Sequence, residues 1–164
     1  MKISIITVTF NSEKTITETI KSVLSQSHQN IEYLLIDGES TDNTVNIIKE
    51  YAPSFGQRIK WLSEKDKSMY DAINKGIRMA SGDIIGILNS DDILRDEHVI
   101  ETIVKTFKSD KSIECTIGDI CFVNPKNLNR IVRYYSAKNW NPDKFRRGYM
   151  PPHPSFYTYK HNYV

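Results

Sequence analysis

Apolar and polar positions along this chain switch between two spacings. Short β-branched runs predict buried strands, whereas apolar residues that recur every three or four positions predict amphipathic helices. Strands are expected at 3–9, 33–36, 59–62, 84–88 and 112–117. Helices are expected at 13–26 after Ser12, from Thr41 or Asp42 to Pro53 and Gly56, at 69–80 before Gly82, and at 98–107. This alternation predicts an α/β fold with a mostly parallel sheet and helices on both faces.

The carboxyl-terminal part of the chain has a weaker pattern. Residues 120–123 and 130–135 predict a hairpin around Asn124-Pro125, and residues 155–160 predict a strand rich in aromatic side chains. We expect that last strand to lie at a free sheet edge, where it would invite pairing with a second copy and hence a homo-oligomer. No repeat or low-complexity linker divides the chain, so a single domain over 1–164 is expected.

The most informative polar segment is Asn89-Ser90-Asp91-Asp92, which directly follows the apolar run 84–88. Adjacent carboxylates at the mouth of a buried strand are costly unless a cation lies beside them. Open α/β sheets bind ligands beyond the carboxyl ends of their strands. A divalent metal that bridges to a phosphorylated ligand would suit this position. The alternative is that Asp91 or Asp92 caps a helix that begins near Arg95.

The first turn between strand and helix excludes two common nucleotide sites. Residues 7–12 contain no glycine, although the dinucleotide fingerprint requires glycines for close approach of the pyrophosphate. The P-loop pattern is also absent from the sequence. A bound nucleotide would therefore need its diphosphate neutralised in another way, and a metal held by Asp91 and Asp92 would do so.

Four segments, in order, resemble glycosyltransferase family 2 over roughly the first 120 residues. They are Ile3–Asn11, Leu35–Asp42, the pair Asn74–Ile77 and Ala80–Asp83, and Leu88–Asp92, which is similar to a variant of the family's Asp-x-Asp metal motif. Residues 64–74 resemble a subgroup of bacterial surface-polysaccharide pathways. The resemblance implies a GT-A fold, a nucleotide-sugar donor that is usually UDP-linked, a Mn²⁺ or Mg²⁺ ion, and transfer with inversion.

The resemblance also implies roles for particular residues. Thr9 and Phe10 would line the base pocket, and Asp37 would accept a hydrogen bond from the uracil ring N–H. Asp91 would face the ribose or the metal, and Asp92 would bind the metal. Asn89 stands where the commonest motif has Asp, and an amide is a weaker ligand for a hard cation than a carboxylate. The remaining residues that the resemblance places at the nucleotide are Glu39, Asp66 and Lys67.

Several of these residues also have a structural alternative. Asp37 could instead form a turn before Gly38. Asp66 and Lys67 could belong to a solvated loop in which Asp66 or Ser68 caps the next helix. His153, between two prolines, could contact a ligand or the acceptor, or could be purely structural.

The family's general base is an Asp located after the acceptor loop, whose beginning Met150–Phe156 resembles. No later carboxylate matches, so we expect the base to lie beyond Val164 and the chain to be a fragment or a truncated member. Residues 1–120 would then form the nucleotide-sugar part and 121–164 the start of an incomplete acceptor part. A nucleotide-binding module without catalysis and a nucleotidyltransferase remain alternative functions.

Charge is distributed unevenly along the chain. The net charge is +2, yet residues 126–164 contain eight Lys or Arg and only Asp143, a balance of +7. This asymmetry predicts an anionic partner, such as a membrane surface, a phosphate-bearing acceptor or the donor diphosphate, unless the face is merely solvated. We expect no nucleic-acid partner.

Cysteine usage and the amino end indicate the compartment. The two cysteines do not form a metal-ligand pattern, and the amino end has no signal-peptide layout. Both observations predict a cytoplasmic protein with reduced thiols, peripheral at the inner membrane if the basic end binds lipid.

Overall fold

The computed structural model describes residues 1–163, which form an α/β fold around a six-stranded sheet. The strands of that sheet, in the spatial order β3-β2-β1-β4-β8-β5, are β1 (Ile3–Thr9), β2 (Ile31–Asp37), β3 (Ile59–Ser63), β4 (Ile84–Ile87), β5 (Cys115–Thr116) and β8 (Tyr157–Tyr159). A separate hairpin consists of β6 (Ile120–Asn124) and β7 (Asn127–Tyr135). The helices are α1 (Ile16–Leu24), α2 (Thr44–Phe55), α3 (Met69–Met79) and α4 (Val99–Ser109).

The four strands β3, β2, β1 and β4 run parallel, and every residue of β1 and β2 is buried. One hydrophobic cluster joins the sheet to α1, α2 and α4, and a second cluster joins the opposite side to α3. Continuous apolar runs are what a sheet covered on both faces requires. The predicted parallel sheet between two helical layers is therefore confirmed.

Some boundaries differ from those expected. Ser12 does not cap α1 with its side chain; its backbone carbonyl accepts the amides of Thr15 and Ile16, and the helix begins at Ile16. Pro53 lies inside the last turn of α2, and the helix ends where Gly56 adopts a φ of 58°. The strand expected at 112–117 is reduced to two residues.

The position of β8 corrects a prediction. This strand does not lie at a free edge: it pairs antiparallel with β4 on one side and with β5 on the other. Tyr157 packs over Gly86, where an added Cβ would lie 2.0 Å from the ring Cε1. The reason given for self-association through this strand therefore fails, because both of its edges are already paired.

The predicted hairpin is confirmed, and it is longer than the pattern indicated. Cys115 and Cys121 are free thiols. Among the residues described, no helix combines the length and the apolar character needed to cross a membrane.

Candidate functional site

The carboxyl ends of β1, β2 and β4 meet at one edge of the sheet. Thr9 pairs in register with Asp37, and the Gly38 amide donates to the Thr9 carbonyl at 2.9 Å. On the other side of β1, the Leu88 amide donates to the Ile6 carbonyl at 2.9 Å, and the segment Asn89–Asp92 follows. Polar segments that are distant in sequence are thereby brought to the edge where parallel sheets bind ligands.

Hydrogen bonds fix the loops at this edge to one another. The Asn11 amide donates to Ser40 Oγ at 2.8 Å, and the Thr41 amide donates to Asn11 Oδ1 at 2.9 Å. The hydroxyls of Ser12 and Ser90 lie 3.0 Å apart and join the first loop to the Asp91–Asp92 segment. The loops after β1, β2 and β4 therefore form one connected rim.

Two rim residues adopt left-handed backbone conformations although neither is glycine. Asn11 has a φ of 49° and Glu39 a φ of 65°. Such conformations cost free energy for a residue with a Cβ and cluster at functional sites. Glu39 is exposed on this rim, and its contact with a nucleotide stays a prediction.

Thr9 and Phe10 present complementary groups at the end of β1. Thr9 is buried, yet its Oγ1 has no hydrogen-bond partner. Phe10 is 63% exposed, an unusual environment for a ring at the end of a central strand. A buried hydroxyl without a protein partner requires an explanation, such as an ordered water or a bound ligand. Together the two residues can offer a hydroxyl and an aromatic face to a planar ligand.

Asp37 faces the protein rather than an open cleft. Its side chain is 0% exposed. It accepts hydrogen bonds from the Ser40 amide at 3.0 Å, from Ser40 Oγ at 2.5 Å and from Ser63 Oγ at 2.6 Å. This geometry supports the turn alternative. A contact between Asp37 and a uracil ring stays a prediction, and it would require the turn to open.

Asp66 adjoins the site through Gly38 and Phe10. A Cβ added to Gly38 would lie 3.2 Å from Asp66 Oδ2 and 3.5 Å from Phe10 Cδ2. The Asp66 side chain is only 10% exposed and lies 2.6 Å from Lys75 Nζ. Hydrogen bonds to Asp66 and Glu64 raise the pKa of Lys75 to about 12. Asp66 is therefore part of a fixed ion pair beside the Phe10 ring, not of a solvated loop.

The neighbours of Asp66 have different roles. Ser68 caps α3, because its Oγ accepts the Asp71 amide at 3.2 Å, as one alternative predicted. Lys67 is exposed, and its amide donates to Asp71 Oδ2 at 3.1 Å. Its predicted contact with a nucleotide stays a prediction.

Asp91 and Asp92 place two adjacent carboxylates after β4. Burial raises the pKa of Asp92, the charge of Asp91 raises it further, and a hydrogen bond from Asn89 Nδ2 at 2.9 Å opposes the rise. Helix α4 begins only at Val99, so neither aspartate caps a helix near Arg95. The capping alternative is therefore wrong.

His153 lies on the same side of the sheet. It begins a short 3₁₀ segment just before β8, which runs antiparallel to β4 with Gly86 opposite Tyr157. The 3₁₀ segment itself contacts β4. When protonated, His153 lowers the pKa of Asp92, which places the two groups within electrostatic reach. A contact between His153 and a ligand or the acceptor stays a prediction.

The residues present fit a divalent cation that is shared with a ligand. No salt bridge within residues 1–163 involves Asp91 or Asp92. In the same range, no three His, Cys, Asp or Glu side chains form a metal cluster. Mg²⁺ is often held by one or two carboxylates together with water and substrate phosphates. Two uncompensated carboxylates suit that arrangement, with a phosphorylated ligand completing the coordination.

An open cleft of about 540 Å³ borders Asp91. Its lining residues are Asn11, Ser12, Glu13, Lys14, Thr15, Asp42, Ser90 and Asp91. The volume lies within the range of small-molecule sites.

Four residues at the site received no binding role from the sequence. Lys75 and Gly38 occur within the motifs, but only the fold shows that they adjoin Asp66. The contact between Ser12 and Ser90 joins positions 78 residues apart. No local pattern could have indicated these contacts, since each depends on which strands become neighbours.

Comparison with known proteins shows the family. The sequence profile described as Glycosyl transferase family 2 matches residues 4–162. EpsE of Bacillus subtilis (strain 168), named as a glycosyltransferase, is 40% identical over 93 residues, which cover 56% of this chain and 34% of that protein. Chondroitin synthase of Escherichia coli is 30% identical over 139 residues, covering 84% of this chain and 19% of that protein.

Solved structures show the same fold. Residues 1–349 of S. aureus TarS, in complex with UDP-GlcNAc, superpose with a TM-score of 0.64 at 25% identity, covering 71% of this chain and 34% of that chain. The mannosyltransferase PcManGT from Pyrobaculum calidifontis, in complex with GDP-Man and Mn²⁺, gives a TM-score of 0.65 at 20% identity, covering 78% of this chain and 37% of that chain.

These similarities confirm the expected GT-A fold. The chain spans about a third of the length of the first curated relative, because the match covers 34% of that protein. With the profile match over residues 4–162, the chain belongs to glycosyl transferase family 2.

Proposed function

We propose that this chain binds a nucleotide-sugar donor, UDP-linked, and contributes to transfer of its sugar with inversion. One observation carries the proposal: two carboxylates without a salt-bridge partner among the described residues, Asp91 and Asp92, follow β4, and the neighbouring parallel strand β1 ends at Thr9. The complex of the similar TarS structure with UDP-GlcNAc supports the choice of donor class.

The nucleobase and the diphosphate of the donor would occupy opposite sides of the rim. On the β2 side, the exposed Phe10 ring and the Asp66 carboxylate lie close together around Gly38, and they would contact the nucleobase. A carboxylate accepts hydrogen bonds only, so Asp66 suits the ring N–H of uracil. This assignment gives Asp66 the contact that the sequence had predicted for Asp37.

On the β4 side, Asp92 and Asp91 would hold a Mn²⁺ or Mg²⁺ ion. Such an ion acts as a Lewis acid and stabilises negative charge on the departing diphosphate. Asn89 orients Asp92 through its amide, and His153 lies within electrostatic reach of the Asp92 carboxylate. The rim hydrogen bond between Ser12 and Ser90 fixes this segment against the first loop.

The residue that takes the proton from the acceptor is not assigned. Asp119 is engaged by Tyr134, Ser136 and Ala137, and these hydrogen bonds, that from Tyr134 foremost, lower its pKa. A carboxylate with a lowered pKa is a weak base. The general base predicted beyond Val164 lies outside the described residues.

The acceptor, proposed to be a glycan or a lipid-linked sugar, and the place in bacterial polysaccharide biosynthesis derive from the sequence resemblance. The cytoplasmic location likewise stays a prediction from the sequence.

A donor-hydrolysis assay tests the proposal. UDP-sugars and GDP-sugars are incubated with the protein in Mn²⁺ or in chelator, and the released nucleotide is identified. We expect UDP release from a UDP-sugar that requires Mn²⁺ and is lost in Asp92→Asn. Release of pyrophosphate from a nucleoside triphosphate and a sugar phosphate would favour a nucleotidyltransferase instead. Binding of UDP without any turnover would restrict the described residues to donor binding.

A further inference from the structure

The hairpin and the segment that follows it expose an unusual amount of apolar side chain. This hairpin surface consists of residues 119–150, which include β6 and β7. The hairpin joins no strand of the central sheet, and eight of the nine residues of β7 are exposed. The large exposed apolar side chains of the surface, between 41% and 61% accessible, are Phe122, Leu128, Ile131, Val132, Tyr134, Phe145, Tyr149 and Met150. Single exposed apolar residues are ordinary, but a group on one element indicates an interaction surface.

Specific contacts hold the hairpin and the following segment together. The Tyr135 hydroxyl donates to the Met150 carbonyl at 3.1 Å. Trp140 Nε1 donates to the Tyr149 carbonyl at 3.4 Å, and its ring meets Phe145 edge to face with centroids 5.1 Å apart. The exposed side chains therefore belong to one connected surface rather than to two unrelated loops.

The same surface carries positive charge that the protein does not neutralise. Its cations are Lys126, Arg130, Arg133, Lys138, Lys144, Arg146 and Arg147. Within the described residues, no salt bridge includes any of them. Of the two acids there, Asp119 is engaged by the hairpin itself, which leaves Asp143. The Arg133 guanidinium lies 5.4 Å from the centre of the Phe122 ring, so cation and aromatic group are interleaved.

We propose that the hairpin surface docks on an anionic lipid bilayer. Apolar side chains would enter the boundary between headgroups and acyl chains, while Lys and Arg would meet the lipid phosphates. A second copy of this chain fits the surface poorly, because two such surfaces would juxtapose like charges. Aliphatic side chains such as Ile131, Val132 and Met150 contribute little to nucleic-acid binding, which uses cations and aromatic stacking. The proposal does not rest on the donor site.

Vesicle binding of the whole protein provides the test. The protein is sedimented with phosphatidylcholine vesicles that contain or lack phosphatidylglycerol, at low and at high salt. We expect binding to the anionic vesicles alone, fading as salt is raised. A Trp61→Phe background leaves Trp140 as the single tryptophan, and its emission should shift to the blue on binding.

Two double variants separate the contributions of charge and apolar contact. Near an anionic surface each basic residue contributes about fivefold in partitioning, so Arg146→Gln with Arg147→Gln should weaken binding by roughly 30-fold. Ile131→Ser with Val132→Ser should weaken it with less effect on salt dependence. Lys108→Gln with Lys111→Gln makes the same charge change outside the hairpin surface and should leave binding unchanged. UDP affinity should be equal in all of them.

Several results would overturn the proposal. These are absence of vesicle binding at low salt, equal binding to neutral vesicles, or an equal loss in the Lys108 and Lys111 control. Binding of RNA without binding of vesicles would assign the surface to nucleic acid. Self-association that the Ile131 and Val132 changes abolish, without vesicle binding, would assign it to a second copy.

Discussion

Asp92 is held half-buried beside Asp91 with one amide hydrogen bond from Asn89, so its charge is poorly stabilised in the absence of a cation. Asp92→Asn should therefore abolish the extra stabilisation that UDP confers when Mn²⁺ is present, and leave the ligand-free protein as stable as before or slightly more so. A ligand at 100 times its Kd stabilises the native state by about 2.7 kcal/mol, which thermal denaturation resolves. Asp143→Asn, at an exposed position, is the control and should retain the effect.

A substitution of Asp37 distinguishes its two possible roles, which are to fix the turn after β2 and to bind the nucleobase. If its three hydrogen bonds fix the turn, Asp37→Asn should reduce the free energy of unfolding by about 1–3 kcal/mol and leave the ratio of UDP to GDP affinity unchanged. Ser63→Ala, which removes one donor, should show a smaller loss of the same kind. Urea denaturation and a nucleotide competition assay measure the two effects. A changed ratio with full stability would assign Asp37 to the base.

At the scale of single residues, the sequence indicated which side chains carry candidate functional groups, but it did not indicate which of them are in contact. The Asp91–Asp92 pair could be recognised because adjacent carboxylates after a buried strand are costly without a cation. The choice between Asp37 and Asp66 could not be made, since both follow strands and only the packed structure shows which one is buried. Lys75 received no role, because its ion pairs with Glu64 and Asp66 require α3 to lie back along the preceding loop.

Among the elements, β4 and β8 depend on one another through Gly86 and Tyr157. A Cβ at Gly86 would lie 2.0 Å from the Tyr157 ring, so Gly86→Ala should destabilise the protein by about 1–3 kcal/mol through overpacking. Adding Tyr157→Leu should recover part of that loss. Denaturant unfolding of the two single variants and the double variant gives the coupling free energy directly. Strictly additive losses would mean that the two residues do not share the contact.

Strand β2 carries a buried carboxylate, Glu32, far from the candidate site. Burial by itself would raise its pKa, but hydrogen bonds from Lys60, the Ser81 amide and Ser4 lower it to about 2, compared with 4.5 for a free glutamate. Because the pKa is lower in the folded state, this stabilisation is complete above pH 4.5 and is lost as the pH falls toward 2. We expect a contribution on the order of 3 kcal/mol at neutral pH.

Glu32→Gln should lower the free energy of unfolding at pH 7 and flatten its decline between pH 5 and about 2. The exposed pair of Glu18 and Lys21 provides the matched control, because Glu18→Gln should change stability by less than about 1 kcal/mol. Urea titrations across this pH range make the comparison. If the free energy of unfolding of Glu32→Gln fell as steeply below pH 5 as that of the unchanged protein, other carboxylates would govern acid unfolding.

For the whole molecule, the sequence predicted the order of strands and helices but not the position of the last strand. An aromatic-rich run such as 155–160 has the same local pattern at a free edge as between two strands. Its insertion beside β4 depends on pairing between distant residues, such as Gly86 and Tyr157, which are 71 positions apart. Local periodicity contains no information on such a pairing. The excess of Lys and Arg in residues 126–164 was visible in the sequence. The exposure of the apolar side chains on the hairpin could be seen only in the structure.

The central claim is that a metal ion and a nucleoside diphosphate bind together at the carboxyl ends of β1, β2 and β4. Isothermal titration calorimetry of UDP, with Mn²⁺ and with chelator, tests it most directly. Since two carboxylates alone make a poor Mn²⁺ site, Mn²⁺ without UDP should bind weakly, and UDP should bind at least about tenfold more tightly with Mn²⁺ than with chelator. Equal UDP affinity under both conditions would contradict the claim.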